Sequence, residues 1–249
     1  MRTRVRRIYE VTAATQELAT WISATWRETV TAGSHADGVH PDGSIDVVWD
    51  GSELVVFGPR TRSVVPRDAR HRAFSGVRLR PGSTRAILGE TAVALTDRTV
   101  ALGDLWGNSA AAAAMRLASA GPDRAMSELS LVLIERGRSG AEPDRMIPRL
   151  VELAGNRSTV RDIAREVGLS ERQLYRRCVD EIGYGPKHLV RVLRLQRLLR
   201  LARRLPDAGL AALAAAAGYA DQAHMSRECR VLASLTPARL VRSQRHLLP

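Results

Sequence analysis

The second half of the chain contains one pattern twice, and this repeat restricts what the chain can fold into. IAREVGLSERQLYRRC occupies residues 163–178 and LAAAAGYADQAHMSREC residues 213–229. Each copy has an apolar residue, alanine, three further residues, glycine and an apolar residue, followed by a helix that ends in cysteine. The pattern predicts a short helix, a glycine-containing turn and a second helix capped by Ser170 or Asp221, which is a helix-turn-helix unit. The second copy has one extra residue in its turn.

One long helix is predicted between the two copies. It runs from Pro186 to Arg204, and a helix of that length spans roughly 28 Å. Two helices that read one face of a duplex lie roughly 34 Å apart, so a single connecting helix can set their spacing. Its leucine-rich face is expected to pack against both units, while some of its arginines face solvent or phosphate: Arg191, Arg194, Arg197 and Arg200.

The repeat resembles the DNA-binding domain of the AraC/XylS family of bacterial transcription regulators. The second copy and the residues after it, AAAAGYADQAHMSRECRVLASLTPARL, are similar to the family signature of small residues, Gly-aromatic, Asp-Gln-x-His, Arg and Thr-Pro. The sequence departs from the family at Cys178, Cys229, Ser234 and Leu195. The resemblance implies double-stranded promoter DNA as the partner, with contact to RNA polymerase and homodimer formation left open.

Candidate DNA contacts are indicated by the resemblance and by the helix faces. Leu174 and Cys178 in the first unit, and Met225 and Cys229 in the second, form buried stripes that leave other side chains outward. Arginine suits guanine or phosphate, and glutamine suits adenine. His224 has two alternative roles, as a structural hydrogen bonder or as part of the contact to RNA polymerase. The predicted DNA-binding residues are Arg172, Tyr175, Arg176, Gln222, His224, Ser226 and Arg227. Further basic residues are expected to contact phosphate or nothing: Arg157, Arg161, Arg165, Lys187, Arg239, Arg242 and Arg245.

The distribution of charge supports a polyanionic partner for the second half. The net charge is +12, and residues 144–249 hold 20 Lys+Arg against 10 Asp+Glu, while residues 1–143 hold 18 against 16. A strong positive field attracts phosphate whatever the fold. The polyanion is therefore expected at the C-terminal half.

The first half is predicted to be mixed α+β. TQELATWISATWRE predicts a first helix, SIDVVWD and ELVVFG a hairpin around Gly51 and Ser52, and HRAFSGVRLR a strand that stops at Pro81-Gly82. Helices continue from Ser109, with a break at Gly121-Pro122 and Asp123 as N-cap. GRSGAEPD has the composition of an exposed linker. We predict an N-terminal domain over 1–137, a linker over 138–144 and an all-α domain over 145–249.

Residues 38–107 resemble the uncharacterised N-terminal domain that precedes AraC-type DNA-binding domains in many actinobacterial regulators. The similar pieces are HPDGSIDVVWD, VVFGPRTR, GVRLRPGSTRAILG and LTDRTVALGDLWG. The resemblance implies a sensor or dimerisation domain for a small-molecule effector. Candidate effector-binding residues are Trp49, Phe57, Arg78, Arg80 and Trp106. Aromatic residues also fill cores, and the arginines suit ion pairs with Asp97 or Asp104 equally well.

Other classes of function find little support in the sequence. His35, Asp37, His40, Asp42 and Asp46 could suggest a metal, but the glycine and proline among them favour a turn-rich loop, and we expect neither metal nor cofactor. A DNA-repair methyl acceptor needs a reactive cysteine in the first half, which has none. A sequence-indifferent architectural DNA-binding protein remains an alternative. Hydrolase signatures such as GxSxG and HExxH are absent too, so we do not expect an enzyme. No apolar run is long enough to span a bilayer, so we expect a cytoplasmic protein.

Overall fold

The computed structural model describes residues 8–30, 38–64, 72–156 and 158–245. Its N-terminal part is built on a six-stranded antiparallel sheet in the order β1-β2-β5-β3-β4-β6. The strands are β1 (Ile8–Ala13), β2 (Ile22–Val30), β3 (Asp46–Trp49), β4 (Leu54–Phe57), β5 (Arg72–Leu79) and β6 (Thr99–Ala101).

Strand β2 overturns the predicted first helix. Residues 16–21 form turns, in which the backbone NH of Ile22 donates to the carbonyl of Leu18, and the chain is then extended. Ile22 and Trp26 are both buried, and a spacing of four fits a helix and a strand equally well. Strand pairing decided between helix and strand, because β2 lies between β1 and β5 and pairs with both. The pairing places Trp26 opposite Gly76, where a Cβ would come within 2.2 Å of the indole, so that glycine leaves room for the ring.

The predicted hairpin is present. Strands β3 and β4 pair in the register Asp46↔Phe57 to Trp49↔Leu54. The turn is held by Asp50, whose carboxylate accepts hydrogen bonds from the backbone NH groups of Ser52 (2.9 Å) and Glu53 (2.8 Å). The strand predicted from HRAFSGVRLR is β5, and it ends before Pro81-Gly82 as predicted.

Four helices complete the N-terminal part: α1 (Thr84–Leu88), α2 (Ala92–Leu95), α3 (Leu102–Trp106) and α4 (Asn108–Ser139). The predicted break in α4 is present, since Gly121 has φ 75° and ψ 169° and Pro122 comes directly after it. Gly121 is the non-helical residue that opens the second segment, so the prediction of Asp123 as N-cap was wrong. The sequence predicted none of the short helices α1 to α3, because each is too short to show a repeating apolar period, and their buried residues join the core of the N-terminal part.

The described residues from 144 onward contain helices and no strand, as predicted. They are α5 (Met146–Gly155), α6 (Val160–Glu166), α7 (Glu171–Ile182), α8 (Pro186–Arg204), α9 (Leu210–Ala217), α10 (Gln222–Ala233) and α11 (Pro237–Arg245). Helix α8 begins and ends at the predicted residues. Its buried face, including Leu189, Val192 and Leu199, belongs to one core shared with both helix-turn-helix units. The α+β fold class with an all-α C-terminal part is therefore confirmed.

The segment predicted as an exposed linker has exposed side chains at residues 138–142, and its backbone makes contacts at both ends. Ser139 still belongs to α4, and a Cβ on Gly140 would lie 2.1 Å from the carbonyl oxygen of Ala86. The backbone NH of Asp144 donates to the carbonyl of Gly82 (2.8 Å), and the Asp144 carboxylate accepts a hydrogen bond from Arg177 of α7. The connection is thus attached to the N-terminal part at one side and to α7 at the other.

Candidate nucleic-acid interface

The first helix-turn-helix unit consists of α6, a turn at residues 167–170, and α7. Gly168 has φ 67°, a left-handed conformation that glycine adopts without steric cost. Ser170 caps α7 through a capping box: its hydroxyl accepts from the backbone NH of Gln173 (3.2 Å), and the Gln173 side chain accepts from the backbone NH of Ser170 (2.9 Å). Leu174 and Cys178 are fully buried, as predicted.

The second unit repeats this geometry with α9 and α10. Gly218 has φ 90°, and Asp221 caps α10 by accepting a hydrogen bond from the backbone NH of His224 (2.6 Å). Met225 and Cys229 are fully buried. Two residues separate Gly218 from its cap and one separates Gly168 from its cap, which accounts for the extra residue in the second copy.

The predicted contact residues of α7 lie together on one exposed face. Arg172, Tyr175 and Arg176 are all exposed, and with Gln173 and Val179 they line a shallow groove of about 290 Å³. Tyr175 is 58% exposed although its ring also rests on Gly185, where a Cβ would lie 2.6 Å from it. The face is therefore basic, carries one aromatic ring, and is open to a partner.

On α10 the predicted residues divide into two groups. Gln222 and Arg227 are exposed, whereas Ser226 and His224 are half-buried. The His224 ring is held from within: its Nδ1 accepts from the backbone NH of Ala220 (3.3 Å), and its Nε2 lies 3.4 Å from the Glu228 carboxylate. These contacts agree with the structural role that the sequence left open for His224, while its contact with DNA stays a prediction, and Gln222 and Arg227 are the exposed candidates.

The buried carboxylate of Glu228 was missed at the level of sequence. Its oxygens accept hydrogen bonds from Arg191 Nε (3.0 Å) and Arg194 Nη1 (3.1 Å), and these bonds join α10 to α8. Arg194 also lies over the ring of Tyr219, 5.5 Å from its centroid. The one available signal was spacing, because Glu228 lies three residues after Met225 on the buried face of α10. Two of the α8 arginines thus hold a recognition helix in place.

Three of the five residues predicted to bind an effector have aromatic side chains, and the structure packs them into the first domain. Trp49 and Trp106 lie in its core, and the Trp106 indole NH donates to the carbonyl of Ile87 (3.1 Å). Phe57 is half-buried on β4. These placements agree with the alternative that aromatic residues fill the core.

The two arginines of that group have protein partners. Arg78 binds Asp46 through Nε (3.0 Å) and Asp42 through Nη1 (3.1 Å), rather than Asp97 or Asp104, and Arg80 donates to the carbonyl of Ala19 (2.7 Å). Burial raises the pKa of Asp46, and Arg78 opposes that shift. The assignment of an effector to these residues stays a prediction.

The residues of the turn-rich loop form no metal site among the described residues. His40 Nδ1 lies 2.6 Å from the hydroxyl of Ser63, and Asp42 accepts hydrogen bonds from Ser44 (2.6 Å and 3.0 Å) as well as pairing with Arg78. His35 and Asp37 lie outside the described residues. Hydrogen bonds and ion pairs therefore account for this loop.

The two cysteines are buried in equivalent positions of the two units. Burial raises the pKa of each thiol to about 12, so both are neutral near pH 7. A thiol in such surroundings acts as a small apolar side chain.

Comparison with known proteins identifies both parts of the chain. A family model described as a helix-turn-helix domain matches residues 163–243, and one described as a domain of unknown function, DUF6597, matches residues 10–101. No curated protein matches the chain. Within the described ranges, no helix combines the length and the hydropathy that a bilayer span requires.

The solved structures that match this chain include two of ToxT from Vibrio cholerae. ToxT from strain O395 is 10% identical, with 98% of this chain and 99% of that chain covered and a TM-score of 0.46. Unsaturated fatty acid bound wild-type ToxT from strain SCE256 is 10% identical, with 96% and 95% covered and a TM-score of 0.44. From the two family matches, the chain contains a DUF6597 domain and, after it, an AraC-type helix-turn-helix domain, the DNA-binding domain of a transcription regulator.

Proposed function

We propose that the protein binds promoter DNA sequence-specifically by placing α7 and α10 in successive stretches of the major groove. The observation that carries the proposal is the pairing of two capped helices, each exposing arginine at its outer face, on the single connecting helix α8. Arg172, Tyr175 and Arg176 would contact the first stretch, and Gln222 and Arg227 the second. Arginine binds guanine through two hydrogen bonds and glutamine binds adenine in the same way.

The geometry of α8 supports the binding of two successive DNA segments by α7 and α10. Its 19 residues span roughly 28 Å, and it packs against α7 of the first unit and against α9 and α10 of the second. Tyr175 of α7 rests on Gly185 just before α8 begins, and Glu228 of α10 binds α8 at Arg191 and Arg194. The distance between the two recognition helices is therefore set by α8, which is one rigid helix. A constant distance is needed for α7 and α10 to bind two groove segments at a fixed interval.

The N-terminal domain is in contact with both units, which supports a regulatory role for it. Thr96 donates to the carbonyl of Gly183 at the end of α7 (3.0 Å), and the backbone NH of Ser63 donates to the carbonyl of Leu232 near the end of α10 (2.7 Å). Gln196 of α8 donates to the carbonyl of Pro41 (2.8 Å). A small molecule that changes the N-terminal domain could shift the recognition helices through these contacts.

Selection of bound sequences from random duplex DNA tests the proposal. We expect an enriched site with two conserved segments about 10 base pairs apart. Arg176→Ala and Arg227→Ala should each lose about 1–3 kcal/mol at the selected site and relax the sequence preference at one segment only. Arg138→Ala removes an exposed arginine of α4 and serves as the control, with binding unchanged.

Two results would overturn the proposal. Equal affinity for the selected and scrambled sequences at moderate salt would favour an architectural, sequence-indifferent protein. Uniform loss of affinity across all sequences in both variants would make Arg176 and Arg227 phosphate contacts, since phosphate contacts carry no sequence information.

A further inference from the structure

A cavity of about 350 Å³ lies between the two helix-turn-helix units. One wall is a single face of α8. The others are the end of α5 with the start of α6, and Gly218 at the end of α9. We refer to this cavity as the central cleft. The α8 residues that line it are Lys187, Val190, Arg191, Arg194 and Arg197.

The central cleft is strongly cationic. Among the described residues, its lining contains four basic side chains and no acidic one. Two carboxylates lie nearby: Glu228 is bound to Arg191 and Arg194, and Asp162 is bound to the hydroxyl of Thr159 (2.6 Å). When the charges of both carboxylates are counted, the net charge around the central cleft is still positive. Arg197 is engaged with the backbone carbonyls of Gly155 and Ala217, and Lys187 is exposed.

The described lining of the central cleft comes from α5, α8 and both helix-turn-helix units, and it includes no residue of the N-terminal domain. Residues spaced three or four apart share one face of a helix, which places Lys187, Arg191 and Arg194 together. Gln196, which binds Pro41 of the N-terminal domain, lies on the opposite side of α8 with the buried Val192. The contact between α7 and Gly185 lies two residues before Lys187, and α10 contacts α8 at Arg191 and Arg194, which both line the cleft.

We propose that the central cleft binds a backbone phosphate of the DNA segment that lies between the two stretches read by α7 and α10. The inference rests on the function proposed above and adds a third contact to it. Arg191, Arg194 and Arg197 are oriented by bonds they already make, so they supply a preorganised positive field. Lys187, the one lysine of the sequence, supplies a compact and exposed ammonium that can reach the phosphate directly.

The contact predicts a specific dependence on salt. Each neutralised phosphate contributes about −0.9 to the slope of log affinity against log salt, so Lys187→Gln should reduce the slope by about 0.9. Between 50 and 200 mM salt, the affinity advantage of the wild type over Lys187→Gln should fall about threefold, on selected and scrambled duplexes alike. Arg138→Gln, which removes an exposed charge on α4, should leave the slope unchanged.

A second experiment locates the phosphate. Replacing the phosphates between the two conserved segments by neutral methylphosphonates should weaken the wild type several-fold and should weaken Lys187→Gln by a smaller factor. In the wild type, bound duplex should protect Lys187 from acetylation, as read by mass spectrometry, whereas millimolar inorganic phosphate should not.

The outcomes separate this inference from the proposed function. An unchanged slope in Lys187→Gln, or equal effects of the methylphosphonates on both proteins, would overturn the phosphate contact while leaving sequence-specific binding intact. Protection of Lys187 by inorganic phosphate alone would assign the cleft to a free phosphate ester instead of DNA. Loss of preference for the selected duplex in the wild type would overturn the proposed function itself, whatever Lys187 does.

Discussion

Replacing Glu228 by glutamine should loosen the second recognition helix. The Glu228 side chain is 8% exposed, and it binds Arg191 and Arg194, which are 34% and 21% exposed. Removing one partner of a fully buried ion pair costs about 3–5 kcal/mol. Since both arginines retain contact with water and glutamine keeps one acceptor, we expect a loss of about 2–3 kcal/mol. For a chain of this size that corresponds to a fall in Tm of about 4–12 °C.

Thermal unfolding measured by far-UV circular dichroism reports the loss, and amide hydrogen exchange shows whether it is concentrated in α10. Glu171→Gln removes a 59% exposed carboxylate from α7 and should change stability by less than about 0.5 kcal/mol. Because Glu228 and Arg191 share one ion pair, the double variant Glu228→Gln with Arg191→Gln should lose less free energy of unfolding than the sum of the two single variants. If Glu228→Gln unfolds within 2 °C of the control, roughly half the smallest shift expected, the carboxylate does not hold α10 to α8.

Three further predictions concern the domain contact and the cysteines. Gly183→Ala places a Cβ 2.4 Å from Thr96 Oγ1 at φ 95°, whereas Gly168→Ala meets nothing within 4 Å at φ 67°. In urea unfolding, Gly183→Ala should lower the free energy of unfolding by at least about 1 kcal/mol more than Gly168→Ala. Equal losses would mean that the two domains are not in close contact at Gly183. Burial lowers the pKa of His188 below its usual 6.5, and the charges of Arg191 and Arg62 act in the same direction while Asp97 opposes them. The unfolded chain therefore binds the proton more tightly, so stability should fall as pH drops below 6.5, and His188→Asn should flatten this dependence in Tm measurements; an identical pH profile for the variant would contradict it. Burial raises the pKa values of Cys178 and Cys229 to about 12. Both thiols should therefore resist a thiol reagent at pH 8 in the native protein and react after denaturation. Rapid labelling of the native protein would show instead that the helix-turn-helix units open readily.

The sequence by itself determined the C-terminal half because its signals are local. Ser170 and Asp221 cap α7 and α10 with their own side chains, and α8 begins at Pro186, which suits the first turn of a helix. The buried stripes have the helical period, so the outward faces of both recognition helices could be read from the same pattern. The hairpin β3-β4 was also predictable, because the turn residue Asp50 satisfies nearby backbone groups.

Only the tertiary structure decided the features that depend on distant partners. Residues 22–30 became a strand because β1 and β5 pair with both of its edges, although the spacing of Ile22 and Trp26 also fits a helix. One partner of the His224 ring, Glu228, lies one turn further along α10, but the other, Arg194 of α8, is 30 positions away, and no local rule relates residues so far apart. The central cleft likewise exists only where α5, α6, α8 and α9 come together, since its charge comes from α8 and its shape from the two units that α8 connects.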